Sequence, residues 1–341
     1  MRLNKNYPLY QEDIDNVLSI SGIDSLRGKS FLITGATGLI GVHLIDALMR
    51  LGGVSVFAVG RDKQKAAGRL GEYYDHPLFH FIEQDVCEPF SASLSIDYII
   101  PLASNTHPLA YSKYPIETIR TNVRGAENAL ELACRCGATV LYPSTVEIYG
   151  NATGLHPMSE DFTGSLNLST SRSCYTESKR VCEAMCQSYI AEQGIRVLIV
   201  RLSRVFGPTM LESDSKASSQ FIKKALAGED VVLKSKGEQS YSYTYVTDAV
   251  AAMLHVLLNG ENGVAYNVSC ESCDVRLKEF AQICADISGR RVVYDLPSEE
   301  EAKGYSIATN AILDNTRLKT LGFTPRYGLE DAIRRTVDIL R

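Results

Sequence analysis

From Lys29 onward, short apolar runs alternate with stretches of helical spacing, and this alternation constrains the fold more than any other feature of the chain. Phe31-Leu32-Ile33 is the first run; Val54 to Val59, Phe79 to Ile82, Tyr98 to Ile100, Val140 to Tyr142 and Val197 to Val200 follow. Helical patterns lie between them at Leu39 to Leu51, from about Asp62, at Ile116 to Arg135 and at Tyr175 to Gln193. Continuous apolar runs of this length are the pattern of strands buried on both faces. Helical crossovers between them are right-handed, which gives a doubly wound, parallel α/β sheet.

Either side of that core the pattern changes. Residues 1–28 are a polar extension in which Ile14, Val17 and Leu18 have helical spacing. After Arg201 the alternation weakens. Residues 207–240 are loop-rich, with a helix near Gln220 to Leu226; Tyr266 to Val268 returns as a strand, and 270–341 mixes helix with short strand. The expected organisation is the extension 1–28, a main domain of 29–200 plus about 241–269, and a smaller interleaved lobe of about 201–240 plus 270–341.

Composition removes several functional classes. The 341 residues carry 35 Lys+Arg against 40 Asp+Glu, a formal charge of −5, so no basic stripe for nucleic acid and no polybasic membrane address is expected. The longest apolar stretch, Ala249 to Leu258, is too short to span a bilayer, and Arg2 and Lys5 are not followed by the apolar run of a signal peptide. The nine cysteines have no framework spacing and read as reduced thiols of a cytoplasmic protein. Cys270-x-x-Cys273 lacks the second pair or histidines of a metal site, so no metal is expected.

Thr34-Gly35-Ala36-Thr37-Gly38-Leu39-Ile40-Gly41 closes the first strand and opens the first sheet helix. Gly35 permits the tight turn, Gly38 lets the backbone approach a pyrophosphate, and Gly41 allows close helix–strand packing. Unpaired N–H groups at the helix start face the anion. The context is that of a dinucleotide-binding turn, which makes 29–200 plus 241–269 the cofactor domain and the smaller lobe the substrate side. At the end of the second strand, Gly60-Arg61-Asp62 leaves room for a 2′-phosphate and supplies a cation, a lean toward NADP, while Asp62 stands one or two places late for the ribose hydroxyls of NAD.

Tyr175-Thr-Glu-Ser-Lys179 puts a phenol and an ammonium on one helix face. A nearby cation lowers a phenol pKa and makes it a base, and Ser144-Thr145 supplies a hydroxyl for the same substrate oxygen.

With these residues in place, the chain resembles the extended short-chain dehydrogenase/reductases that modify nucleotide sugars, whose fold is Rossmann-type. The resemblance rests on the glycine turn, Gln84-Asp85-Val86, Leu102-Ala103-Ser104, Asn122, Ser144-Thr145-x-Glu147-x-Tyr149-Gly150, Tyr175-x-x-x-Lys179, Arg201, Phe206-Gly207-Pro208 and Tyr245-Val246-x-Asp248. Ser159-Glu160-Asp161, Arg172 ahead of Tyr175, and Pro108-x-x-Tyr111 are similar to the UDP-glucuronate decarboxylase and 4,6-dehydratase branch.

The resemblance implies roles. Tyr175 is the base, Lys179 its tuner and a ribose ligand, and Thr145 shares the substrate proton. Gly35, Thr37, Gly38, Leu39, Ile40 and Gly41 hold the pyrophosphate. Asp85 and Val86 hold the adenine, Arg61 the ribose end, and Leu102, Ala103 and Ser104 the middle of a recycled NAD(P)+. Asn122 braces the active-site helix, and Tyr111 and Arg172 face the substrate, a nucleotide-diphosphate sugar. Oxidation at sugar carbon 4 acidifies carbon 5. Loss of CO2, loss of water or reduction on the other face then gives a decarboxylase, a dehydratase or a 4-epimerase, and the hydride is returned. Glu147 is the expected carbon 5 base, which favours the two lyases over the epimerase. A non-catalytic dinucleotide-binding scaffold is the alternative of another class.

The sequence departs from the resembling family at three places. Val146 replaces an Asp or Ser between Thr145 and Glu147. Tyr241 replaces an Arg that grips the diphosphate or a substrate carboxylate, and Arg204 stands where an Asn touches the phosphates. The expectation is that Arg204, with Lys216, takes over the diphosphate. The resemblance also implies a homodimer through the two long helices, with Val181, Ala184 and Met185 on the shared face.

Overall fold

The computed structural model of the chain describes residues 3–91, 93–106, 108–151, 157–296 and 310–341. The six expected core strands are β1 (Ser30–Thr34), β2 (Ser55–Gly60), β3 (Phe79–Glu83), β4 (Tyr98–Pro101), β5 (Thr139–Thr145) and β6 (Val197–Leu202). Beyond β6 the chain adds β7 (Arg204–Phe206), β8 (Val231–Leu233) and β9 (Ser240–Tyr245), then β10 (Ala265–Val268), β11 (Asp274–Arg276) and β12 (Val292–Tyr294).

Seven of these strands form one sheet in the order β10-β6-β5-β4-β1-β2-β3, and every pairing within it is parallel. It is a Rossmann-type sheet, and the order reverses between β1 and β4. Ligands of open α/β sheets bind in the crevice beyond the strand ends at such a reversal. The sequence pattern follows from this arrangement: Phe31, Leu32 and Ile33 are fully buried because helices cover both faces.

Helix α1 (Pro8–Leu18) precedes the sheet, and α2 (Leu39–Leu51) leaves β1 with Gly38 as its N-cap. Helices α3 (Lys63–Leu70) and α4 (Pro108–Lys113) are short. The two long helices are α5 (Pro115–Cys136), started by its own proline and closed by Gly137 at φ +70°, and α6 (Ser173–Gln193), closed by Gly194 at φ +69°. Such left-handed glycines satisfy terminal carbonyls without Cβ strain.

Helix α8 (Val246–Asn259) lies between β9 and β10, and the lobe is built from α7 (Ala217–Ala227), α9 (Leu277–Ser288), α10 (Thr316–Thr320) and α11 (Leu329–Leu340). A three-stranded sheet, β11-β9-β7, carries it, and β8 pairs with β12 alongside. Helix α8 is buried from Val246 to Leu257, so its apolar stretch is core. No helix among the described residues is long and apolar enough to cross a membrane.

The first helix is tied to the last. Asp13 of α1 is fully buried, and its carboxylate accepts from the Tyr245 hydroxyl at 2.5 Å and from Arg335 Nε of α11 at 2.9 Å.

Candidate active site

The glycine turn has the geometry that a phosphate cradle needs. Gly35 sits at φ +63°, and a Cβ there would lie 2.8 Å from the Ala103 nitrogen, so the turn packs against the end of β4. A Cβ on Gly41 would come within 2.5 Å of the Gly35 carbonyl, whereas one on Gly38 would meet only that same oxygen, at 3.1 Å. Gly41 is therefore a packing glycine, and Gly38 keeps the helix start open. Thr34 Oγ1 accepts from Ala103 N at 3.0 Å and joins the ends of β1 and β4, the two walls of the crevice. Thr37, Leu39 and Ile40 are half-buried along the helix start, and Leu102, Ala103 and Ser104 line the opposite wall with similar exposure.

Further along the crevice, Asp85 turns the chain after β3 by accepting from Cys87 N at 2.9 Å. Val86 packs beneath Gly125, and its carbonyl accepts from Asn128. Arg61 is engaged from both sides, by Glu117 at 2.9 Å and Asp85 at 3.8 Å. Asp62 is the N-cap of α3, accepting from Lys65 N. An open cleft lined by Arg61, Asp62, Lys63, Gln64, Tyr74 and Glu83 lies beside them.

Asn122 of α5 donates to Ser178 Oγ at 2.8 Å, and that hydroxyl donates to the Tyr175 carbonyl at 2.9 Å, so α5 fixes the turn of α6 that carries the phenol. Asn122 Oδ1 and Ser144 Oγ are buried without a hydrogen-bond partner among the described residues. Unsatisfied buried polar atoms on α5 and at the end of β5 fit a dinucleotide that brings its own donors and acceptors.

Tyr175 and Thr145 are both 8% exposed. Burial raises the Tyr175 phenol to about 12, a hydrogen bond with Thr145 and the Arg172 charge oppose this, and Glu147 adds to it. The buried Lys179 amine donates to the Pro143 carbonyl at 2.9 Å and lies over the Tyr142 ring, which anchors it on β5. Burial also lowers the Lys179 pKa.

Thr145 caps a single 3-10 turn, Val146–Tyr149, by accepting from Glu147 N. The turn aims the Glu147 carboxylate at Arg172, 3.0 Å away. Arg172 also lies 4.4 Å over the Tyr111 ring, and Tyr111 stacks on Tyr175 with centroids 5.4 Å apart. Glu147, Arg172, Tyr111, Tyr175 and Thr145 therefore form one contiguous group.

A buried network that the sequence reading missed as a unit holds this turn. Tyr149 donates to Asn267 Oδ1 at 2.6 Å and accepts from Arg201, and Arg201 is gripped by Glu183 through two hydrogen bonds, of 3.1 and 2.8 Å. Asn267 Nδ2 donates to the carbonyls of Met158 and Asp314. The available signal was a polar residue inside the buried run Ala265–Val268. Of the remaining candidates, Lys216 is paired with Asp214 at 3.2 Å, and Arg204 lies on the Tyr241 ring.

The sequence profile of the NAD dependent epimerase/dehydratase family matches residues 31–269. The chain belongs to this family. Among curated members it is 33% identical to UDP-glucuronic acid decarboxylase 1 of Xenopus tropicalis over 321 residues, 92% of this chain and 72% of that protein. It is 37% identical to UDP-glucuronic acid decarboxylase 6 of Arabidopsis thaliana over 232 residues, 68% of this chain and 67% of that one. Among solved structures, the UDP-glucuronic acid 4-epimerase of Bacillus cereus superposes with a TM-score of 0.79 at 21% identity, covering 91% of this chain and 98% of that chain. The dTDP-glucose 4,6-dehydratase of Bacillus anthracis gives 0.77 at 19%, covering 91% and 96%. These two share the epimerase/dehydratase fold with this family member.

Proposed function

We propose that this nucleotide-sugar-modifying enzyme oxidises carbon 4 of a nucleotide-diphosphate sugar transiently and uses the ketone either to release CO2 from carbon 5 or to eliminate water across carbons 5 and 6. Decarboxylation of a UDP-hexuronate is the first reading, and 4,6-dehydration is its close relative. The observation that carries it is the contiguous group of Tyr175, Thr145 and Glu147, a proton acceptor for the 4-hydroxyl and a carboxylate for carbon 5 on one wall. The decarboxylase names of relatives at 33 and 37% identity support the choice of substrate.

The glycine turn, Lys179 and Asn122 would hold NAD(P)+, which would supply a reversible two-electron acceptor. Tyr175 accepts the proton of the 4-hydroxyl, and Thr145 holds that oxygen in line and stabilises the phenolate. Glu147 faces carbon 5, and Arg172 fixes its carboxylate. Tyr111 lies against the Tyr175 ring and keeps water from it. The Glu147–Arg172 ion pair also supports a second reading, 4-epimerisation, since a carboxylate already held by a guanidinium is less free to turn to carbon 5.

Our reading of the cofactor is NAD. The NADP lean of Gly60-Arg61 loses force because Glu117 and Asp85 already occupy Arg61, and a 2′-phosphate would meet both carboxylates. We assign 29–200 plus 241–269 to cofactor binding and the remaining lobe to the sugar, in a cytoplasmic enzyme. The outer faces of α5 and α6 expose Ile116, Ile119 and Val181 at 65, 44 and 46%, and Ala184 lies beside Val181. We place a homodimer contact there, although Met185 turns partly into the core.

The decisive experiment incubates the protein with UDP-, dTDP-, CDP- and GDP-sugars, UDP-glucuronate first, and follows products by NMR. CO2 release, a 4-keto-6-deoxy sugar and an inverted sugar identify the three outcomes. Undiminished turnover in Tyr175→Phe removes the phenol from the chemistry.

A further inference from the structure

Cys270-Glu-Ser-Cys273 is a cysteine motif that the candidate active site leaves unused. Cys270 follows β10 and is the N-cap of a single 3-10 turn, Glu271–Cys273. Cys273 N donates to the Cys270 carbonyl at 2.9 Å. A turn closed in this way holds its outer Cα atoms less than about 7 Å apart, a separation that a disulfide spans.

The side chains converge as well. Both thiols donate to one acceptor, the Tyr327 carbonyl, at 3.4 Å from Cys270 and 3.5 Å from Cys273. They are also hydrogen-bonded to each other, and Ser272 Oγ lies 3.1 Å from the Cys270 sulfur. By contrast, Cys136, Cys174 and Cys182 each donate to a separate carbonyl. Among the described residues no group of three or more His, Cys, Asp or Glu side chains is placed to hold a metal ion, so the pair is not part of such a cluster. Cys270 and Cys273 are 4 and 0% exposed, yet Glu271 and Ser272 between them are exposed, so a single surface turn covers the sulfurs. The bond from Cys273 holds the Cys270 thiol below its usual range against the effect of burial, and the same bond raises Cys273, so Cys270 ionises first.

We propose that Cys270 and Cys273 form a peroxide-sensitive redox site, in which oxidation to an intramolecular disulfide releases the Tyr327 carbonyl and loosens the start of α11. The Cys270 thiolate attacks one oxygen of hydrogen peroxide, the O–O bond breaks, and the departing hydroxide takes up a proton as water. The Cys273 sulfur then attacks the resulting sulfenic acid, its proton leaving with the displaced hydroxide as a second water. Two thiols lose two electrons and one peroxide gains them. Tyr327 precedes Gly328, the N-cap of α11, and its N–H is held by Asp248 of α8 at 3.0 Å. A disulfide has no S–H to donate, so the Tyr327 carbonyl loses both of its thiol donors. Closing so short a loop constrains the unfolded chain little, and the lost bonds set the sign of the stability change. The site does not depend on which sugar the enzyme accepts.

The test treats the full-length protein with hydrogen peroxide, unfolds it in iodoacetamide and maps each cysteine by peptide mass spectrometry, in wild type, Cys270→Ser and Cys273→Ser. In wild type, Cys270 and Cys273 should both lose alkylation and become linked to each other, and dithiothreitol should restore them. Cys273→Ser should stop at a Cys270 sulfenic acid that dimedone traps, and Cys270→Ser should leave Cys273 reduced. The Tm of wild type should fall on oxidation and recover with dithiothreitol, a shift absent from Cys270→Ser. Full alkylation of both cysteines after peroxide, or a disulfide from either one to another cysteine, overturns the redox site. A Cys270–Cys273 disulfide with an unmoved Tm overturns the release of α11.

Discussion

Glu147 and Arg172 meet at 3.0 Å with side chains 28 and 35% exposed, so the carboxylate that we propose for carbon 5 is oriented by a guanidinium that also lies over Tyr111. This pair makes Arg172 a positioning residue. Replacement by Met should lower kcat about 10- to 100-fold with a smaller change in KM, because orientation counts more in the reacting complex than in binding. Glu147→Gln should go further and abolish solvent-deuterium incorporation at carbon 5, while single-turnover reduction of the nicotinamide persists. Deuterium uptake at the wild-type rate in Glu147→Gln assigns the base elsewhere.

The Tyr175 phenol, near 12 in the free protein, is almost wholly protonated at neutral pH. The Thr145 hydrogen bond favours the phenolate and so lowers that value; removing it raises the value and reduces the phenolate fraction at any given pH. Thr145→Ala should therefore move the rising limb of kcat/KM to higher pH and cut the rate at pH 7, with thermal stability close to wild type. A profile that falls uniformly without moving assigns Thr145 to substrate binding alone.

The glycine turn separates packing from ligand approach. Gly41→Ala forces a methyl to within 2.5 Å of the Gly35 carbonyl and 2.9 Å of the Ala36 carbonyl, and overpacking of this kind costs about 1–3 kcal/mol. Gly38→Ala meets one oxygen at 3.1 Å and should fold nearly as well as wild type, yet lose NAD affinity. Calorimetric unfolding and NAD titration on the two variants check the distinction. Equal stability losses with equal NAD affinity would contradict it.

Asp274 carries a buried Oδ1 with no partner among the described residues, and burial raises its pKa from 3.8 to about 6. The folded state thus binds this proton more tightly than the unfolded state. Its contribution to stability is fully present below pH 4 and is lost as pH rises through 6. Asp274→Asn should therefore have a higher Tm than wild type at pH 8, with the gap closing near pH 4. A gap independent of pH would show that the carboxylate is not the cause.

The sheet was legible because its strands are buried on both faces. Phe31 to Ile33 and Val197 to Val200 have no solvent-facing positions to dilute the signal. The lobe was not: β7 and β11 have three residues each, and β9 is Ser240-Tyr-Ser-Tyr-Thr-Tyr245, whose buried hydroxyls read as polar. At the candidate site, the placement of Tyr175 on a helix and of Thr145 and Glu147 on one turn follows from local spacing. The pairings do not, since Arg172 finds Glu147 from 25 residues away and Lys179 chooses the Pro143 carbonyl from 36. Partner choice of that range is set by tertiary packing, which local spacing does not carry.

The buried Asp13 carboxylate takes its hydrogen bonds from Tyr245 and Arg335, residues 232 and 322 positions further along the chain. During synthesis the Asp13 carboxylate can meet its guanidinium only after α11 has been made, and a chain cut before Arg335 is left with an acid that has lost that partner.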